Sequence, residues 1–388
     1  MNDQANSSDD ELRVLLVTKG LDLGGIERVV TDLAIGLSAR GVDVEVALVN
    51  STRDRLAPPV ESAGVTIHRL DGSDRIGAPA ARRFAALTRR SDLDVVHVHG
   101  PLPAAIARLA KRSSTDGARL VTTAHTPWTS LHPATRAAWW ATMRRDDAIV
   151  AVSSATAATL PGSSRRRAVV IPHGIDPKRI DAARQQVLDR GEHRDVAHES
   201  AATTQTITAV AVASHRDAKN YPNLLQSVRA ANEAGADVRL VAIGDGPNLD
   251  EHQLLAHTLG IGDRVEFRPS TDDALVEIAG SDVLVVASDY EGQPIVVAEA
   301  LALGVPVVST AVGRAPEMVS RRVGRIVPPG DPAALGSAIA ELAADPQLRA
   351  NMARAARTQR AAWTLDDVID AHLDLYAEVL HERADPGN

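Results

Sequence analysis

A chain of 388 residues is long for one domain and sufficient for two, each able to bury its own core. It is 44% hydrophobic but only 2% aromatic, so those cores must be built from Ala, Val, Leu and Ile, and the absence of Cys excludes disulfides, a thiol nucleophile and Cys-ligated metal. The formal net charge of −8 hides an asymmetry: residues 1–180 carry 24 Lys and Arg against 19 Asp and Glu, the remainder 18 against 31. A basic first half suits an anionic partner such as a phospholipid surface, although arginines scattered over solvated faces give the same balance. The N-terminal MNDQANSSDDEL is polar and has no apolar core, and no apolar run reaches membrane-spanning length. The expected location is the cytoplasm, with peripheral contact at the inner face of the membrane as a further option.

In chain order, the first half alternates aliphatic runs with helix-period segments. The runs are 12–18 (LRVLLVT), 42–50 (VDVEVALVN), 94–99 (DVVHVH), 120–125 (LVTTAH), 148–153 (AIVAVS) and 168–172 (AVVIP). Continuous apolar strands of this kind suit a parallel sheet covered on both faces. Between the first two, Ile26, Val29, Val30, Leu33 and Leu37 recur at helical spacing, which makes the unit βαβ. Residues 181–206 turn polar and charged and read as a helix followed by a connecting segment. The alternation then restarts at 207–214 (ITAVAVAS), 237–244 (DVRLVAIG), 264–268 (RVEFR), 282–288 (DVLVVAS), 305–310 (VPVVST) and 324–327 (GRIV). The expected architecture is α/β, with two doubly wound domains at 1–180 and 207–362. A terminal helix at 363–388, with Val368, Ile369, Leu373, Tyr376 and Leu380 on its apolar side, follows. Doubly wound sheets bind ligands beyond the carboxyl ends of their strands, which predicts a site in the cleft between the two sheets.

The candidate residues follow strands. DYEGQPIVVAEALALG (289–304) places Glu291 and Glu299 around a Gly-Gln-Pro turn. Pro294 suits the first turn of a helix starting near Gln293, whose free N–H groups would face a phosphate or sugar oxygen. Either acid could instead be a solvated or helix-favouring residue. GDGP (244–247) is a glycine-rich turn in which Leu249 replaces the third glycine of a dinucleotide fingerprint, against a nicotinamide dehydrogenase. Gly24 and Gly25, in LGGIE, would let backbone N–H groups approach a ligand, or simply form a tight turn. In SHRDAKN (214–220), Arg216 and Lys219 could neutralise a diphosphate or be solvated loop charges. His97, His99, His125 and His173 recur at strand ends, without His-x-x-x-His spacing for a metal or a Gly-x-Ser-x-Gly elbow for a serine nucleophile.

Taken together, LDLGGIERVV, DVVHVHG, TAHT, IPHGID, AVASHRDAKNYPNLL, AIGDGPNL, EGQPIVVAEALALGVPVVST and VGRIVPPGDPAAL resemble the retaining glycosyltransferases of family 4, over nearly the whole chain. Those enzymes use nucleotide-sugar donors and have the GT-B fold of two Rossmann-like domains. Glu291 and Glu299 match their Glu-x7-Glu element. The resemblance implies that Glu299 binds the nucleotide ribose and Glu291 the sugar hydroxyls. It places the backbone around Gln293 and Ile295 on the sugar or diphosphate, Lys219 on the diphosphate, Gly25 near the reacting centre and His125 near the scissile bond. Two departures stand out: Ser214 occupies the place of a common arginine, with Arg216 as its substitute, and Arg314 stands where glycine is common. The activity implied is retaining transfer from a UDP- or GDP-linked sugar to a glycan, lipid-linked or small-molecule acceptor, with no metal or other cofactor and no nucleic-acid partner. The terminal helix is expected to return to the first domain, as in relatives. A sugar-nucleotide epimerase or phosphorylase of similar architecture and a non-catalytic nucleotide-sugar-binding protein are the alternatives. HPATRAAWWATMRR (132–145) reads either as an interfacial membrane contact or as a core helix with a basic edge.

Overall fold

The computed structural model describes residues 11–50, 52, 54–70, 77–111, 117–191, 206–272, 274–358 and 364–384. The first ten residues, most of the expected connecting segment (192–205) and Trp363 lie outside them. The chain forms two compact units, one of Met1–His173 with Leu365–Asn388 and one of Gly174–Thr364.

In the N-terminal unit, seven strands form one parallel sheet: β1 (Arg13–Thr18), β2 (Asp43–Leu48), β3 (Thr66–Arg69), β4 (Val95–His99), β5 (Arg119–Ala124), β6 (Ala148–Ala151) and β7 (Ala168–Val170). Their order is β3-β2-β1-β4-β5-β6-β7. Leu15, Leu16 and Val17 have no exposed surface because helices cover both faces, and each such side chain contributes roughly 1.5–3 kcal/mol of burial. The sequence does not announce β3 (TIHR). It is an edge strand with no fully buried residue, so it carries no continuous apolar run.

The C-terminal unit holds β8 (Ile207–Val212), β9 (Val238–Ile243), β10 (Val265–Arg268), β11 (Val283–Val286), β12 (Val307–Thr310) and β13 (Gly324–Val327). Its parallel sheet is ordered β10-β9-β8-β11-β12-β13. The helix Pro177–Asp189 belongs to this unit, with Ile180, Ala183 and Val187 in its core. Helices Tyr221–Glu233 and Pro332–Ala344 pack closely at Gly336, where an added Cβ would lie 2.7 Å from the Ser227 carbonyl oxygen.

In each sheet the chain winds first one way and then the other from a central pair, β1 and β4 in the first and β8 and β11 in the second. Each pair marks a topological switch point, where doubly wound sheets open a crevice at their carboxyl ends.

The terminal helix Leu365–Ala384 packs on the N-terminal unit's helix Gly25–Ala39. Its buried face is Val368, Ile369, His372, Leu375, Tyr376 and Val379, about one residue rotated from the stripe expected from apolar spacing, because His372 is taken inward. Arg40 pairs with Asp366 at 2.9 Å and also with Asp370. At Gly36 the two helices nearly touch, and an added Cβ would meet Ile369 Cδ1 at 2.0 Å and Cγ1 at 2.8 Å.

Replacing an interior helical glycine normally favours the helix by about 1 kcal/mol. Here the buried tip of Ile369 must turn aside within a packed core, and the larger leucine side chain follows it, so overpacking decides the sign. Gly36→Leu is expected to lower stability by about 1–3 kcal/mol, read as a lower denaturation midpoint with faster amide exchange in the terminal helix. Unchanged stability would show that this contact is loose.

Candidate active site

The second unit's switch point brings together residues far apart in sequence. After β8, residues 213–220 form a loop that is tied at its base to the loop after β9. The His215 amide donates to the Asp245 carbonyl at 3.0 Å, and the Asn248 amide to the His215 carbonyl at 3.2 Å. A Cβ on Gly244 would lie 2.0 Å from the Ala213 carbonyl oxygen, and one on Gly246 2.4 Å from that of His215. The glycines of GDGP therefore permit a close approach between two protein loops, and the motif buttresses the loop that bears Arg216 and Lys219.

That loop is sewn to the one after β11. Asn220 adopts a left-handed conformation (φ 45), the single non-glycine residue among those described to do so. Asn tolerates this better than most side chains. Asn220 caps the following helix by accepting from the Asn223 amide at 3.0 Å, and its Nδ2 donates to Asp289 Oδ1 at 2.6 Å. The Asp289 amide donates to the Ala218 carbonyl at 3.0 Å. Lys219 thereby reaches Glu291: its Nζ lies 2.5 Å from Oε1, which also accepts from Ser288 Oγ at 2.8 Å.

The Glu291 segment is braced from its other side. Thr310 Oγ1 donates to the Ser288 carbonyl at 2.7 Å. Gly313, at φ 51, presses on residues 291–292, and a Cβ there would lie 2.3 Å from the Gly292 carbonyl oxygen. Only glycine suits both that φ and that approach. Arg314, the departure noted in the sequence, pairs with Glu317 at 3.2 Å.

The helix after this loop runs Ile295–Leu303. It begins two residues later than its sequence suggests, because Pro294 is extended (ψ 101) and stands before the first turn. Glu299 is therefore little more than one turn from the helix start, half-buried on a helix whose Val297, Ala300 and Leu301 are in the core. Gln293 is buried and Ile295 half-buried. Arg216 is exposed and makes no side-chain hydrogen bond or ion pair among the described residues, so the structure joins Lys219 to Glu291 but leaves Arg216 apart from them.

In the N-terminal unit, Gly25 opens the helix after β1 and is exposed. His99 ends β4, and His125 directly follows β5. His99 Nδ1 and His125 Nε2 are 2.9 Å apart and share one proton. The His125 ring stacks on His173 at 5.2 Å. Behind them, His97 bonds Thr123 Oγ1 and the Tyr376 hydroxyl, each at 2.7 Å, and His372 Nδ1 donates to the Val368 carbonyl at 2.7 Å.

Neither His99 Nε2 nor His125 Nδ1 has a partner among the described residues. Either direction of the hydrogen bond between the two rings leaves one of these atoms as a buried, unpaired N–H. Burial holds His97, His99 and His125 well below the usual histidine range, helped by the charge of neighbouring rings, and pushes His372 down to about 4. His125 is thus neutral at neutral pH.

Among the described residues, no three His, Cys, Asp or Glu side chains gather as a metal-holding group. Sequence reasoning missed Asn220, Ser288, Thr310 and Gly313, which act through loop contacts that no local motif encodes.

Paired parallel doubly wound sheets with this site are the GT-B class. The chain is similar in fold to HepE of Anabaena, solved in complex with UDP-glucose, with a TM-score of 0.78 and 18% identity over 95% of this chain and 100% of that one. Residues 23–179 match the family described as Glycosyltransferase Family 4, and residues 192–359 the family described as Glycosyl transferases group 1. A D-inositol 3-phosphate glycosyltransferase of Mycolicibacterium vanbaalenii is 30% identical over 93% of this chain and 87% of its own length. An N-acetyl-alpha-D-glucosaminyl L-malate synthase of Bacillus anthracis is 26% identical over 78% and 79%. The chain belongs to this glycosyltransferase family.

The buried histidines set a pH dependence. Their folded pKa values lie below the unfolded value of about 6.5, so the unfolded chain binds more protons as pH falls. Stability from this cluster is full above about pH 6.5 and declines on acidification, by about 1.4 kcal/mol per pH unit for each histidine, until the folded value is reached. Urea midpoints measured between pH 7.5 and 4.5 (about one unit above to two below that value) are expected to fall, and His372→Phe to reduce the slope. A flat profile would contradict the assignment of neutral rings.

Proposed function

We propose that the chain transfers a sugar from a nucleotide diphosphate donor, UDP- or GDP-linked, with retention of anomeric configuration and without a metal ion. The observation that carries this is Lys219 beside Glu291 at the carboxyl ends of β8 and β11, with Glu299 on the helix that follows. Breaking the sugar–phosphate bond builds positive charge at the anomeric carbon and negative charge on the departing diphosphate. Lys219, Arg216 and the N-terminus of Ile295–Leu303 oppose the second charge, where fixed cations and dipoles act most strongly. The leaving phosphate oxygen takes the acceptor's hydroxyl proton as the new glycosidic bond forms on the same face. Glu299 binds the ribose and Glu291 the sugar hydroxyls. The neutral His125 hydrogen-bonds the sugar near the scissile bond.

The Lys219 ammonium rests on the Glu291 carboxylate. The pair is partly exposed (side chains 27% and 15%), and such pairs are worth on the order of 1 kcal/mol or less, so a diphosphate can displace it. Donor binding then frees Glu291 for the sugar. The relatives named for malate and inositol phosphate acceptors, with the UDP-glucose complex of HepE, support a nucleotide-sugar donor and a polar acceptor.

Lys219→Ala is expected to weaken UDP binding about tenfold to a hundredfold, the loss of one charged hydrogen bond. Glu291→Gln should bind UDP at least as tightly as the parent while losing turnover, because Lys219 is released. Calorimetry with UDP and a labelled nucleotide-sugar panel read both. Unchanged UDP affinity in Lys219→Ala would displace the site, and turnover restored by metal after chelation would overturn the metal-free reading. Phosphorolysis without a donor nucleotide, epimerised donor as product, or tight donor binding without turnover would favour the alternatives.

A further inference from the structure

Of the four most exposed large apolar side chains among the described residues, three sit on two adjacent helices of the N-terminal unit: Leu102 (56%) and Leu109 (65%) on Pro101–Ala110, and Trp140 (62%) on Pro133–Thr142. Isolated exposed leucines need no explanation, but clustering does. The two helices pack side by side, with Arg108 over the Trp139 ring at 5.2 Å. Trp139 is buried, so one half of the Trp-Trp pair is core and the other is turned outward. Leu102 and Leu109 are seven residues apart and share one helix face. No acid lies on either helix, and between residues 95 and 145 the sequence has seven Lys and Arg against one acid, Asp116. Arg144 and Arg145 are exposed at the end of the second helix, where Arg145 Nη1 donates to the Arg108 carbonyl. The neighbouring acids are taken: Asp146 is fully buried against Arg108, and Asp147 pairs with Lys111 and Arg119.

We propose that this two-helix face is a contact surface for an anionic phospholipid bilayer, with Leu102, Leu109 and Trp140 entering the interface and Arg144 and Arg145 meeting headgroup phosphates. The pattern of exposed apolar and aromatic side chains with a predominantly basic surround is that of interfacial helices. A peptide or protein partner would be held by a groove and a desolvated pocket, whereas these side chains are more than half exposed on two helices. No helix among the described residues is long and apolar enough to cross a membrane, so the contact is peripheral. It is independent of which sugar the protein transfers.

The full chain is floated with phosphatidylcholine vesicles made with and without phosphatidylglycerol, at low and high salt. Binding is expected only to the anionic vesicles, with release by salt. Leu109→Glu with Trp140→Glu, and separately Arg144→Glu with Arg145→Glu, should weaken it about tenfold or more. UDP affinity, measured on the same preparations, should not change and certifies that the variants are folded. Vesicle binding should also blue-shift the tryptophan emission, and Trp140→Phe should abolish that shift. Absent flotation, equal binding to neutral vesicles, retention by both double variants, or a parent dimer that the Glu variants dissolve would each overturn the proposal.

Discussion

The C-terminal unit is organised around a single contact, the Lys219 ammonium on the Glu291 carboxylate across the switch point of its sheet. These side chains are 72 residues apart in sequence. Their meeting depends on β8 and β11 being neighbours, which follows from the sheet order. It also depends on two loops joined through Asn220, Asp289 and Ala218. Gly244 and Gly246 hold the cation's loop from behind, while Thr310 and Gly313 hold the carboxylate's loop from the far side. A flexible lysine is thereby delivered to one place by backbone geometry, and under the proposed function the same geometry sets where a diphosphate takes the lysine over.

The N-terminal unit solves a different problem. Its histidines are stacked in and beside the core, so burial keeps them neutral and they serve as hydrogen-bonding groups. His99 hydrogen-bonds His125, and the terminal helix contributes Tyr376 to the His97 side of the same stack. The last element of the chain therefore completes the core beneath a residue at the end of β5. Stability of that core and orientation of His125 have a common origin.

Twelve of the thirteen strands among the described residues were legible, most of them because parallel strands buried on both faces read as aliphatic runs. The edge strand β3 was not, since TIHR is half exposed and has no such run. Among site residues, Glu291, Glu299 and Lys219 stood out as charges at strand ends or on aliphatic helices. The Gly-Asp-Gly-Pro turn was visible, but its purpose was not: the need for glycine arises from the Ala213–His215 backbone, some thirty residues away. Asn220 and Gly313 were illegible for the same reason, because their roles are contacts between loops. The start of helix Ile295–Leu303 was misplaced because proline favours a helix's first turn but equally suits the extended residue before it.

The central claim is that the switch point of the C-terminal unit binds a nucleoside diphosphate by taking Lys219 from Glu291. A crystal structure of the chain with UDP bound tests it most directly. The account predicts the diphosphate beyond β8 and β11, with Lys219 Nζ on phosphate oxygens, Glu291 released and Glu299 on the ribose. A nucleotide bound elsewhere, or bound there with Lys219 still on Glu291, would contradict it.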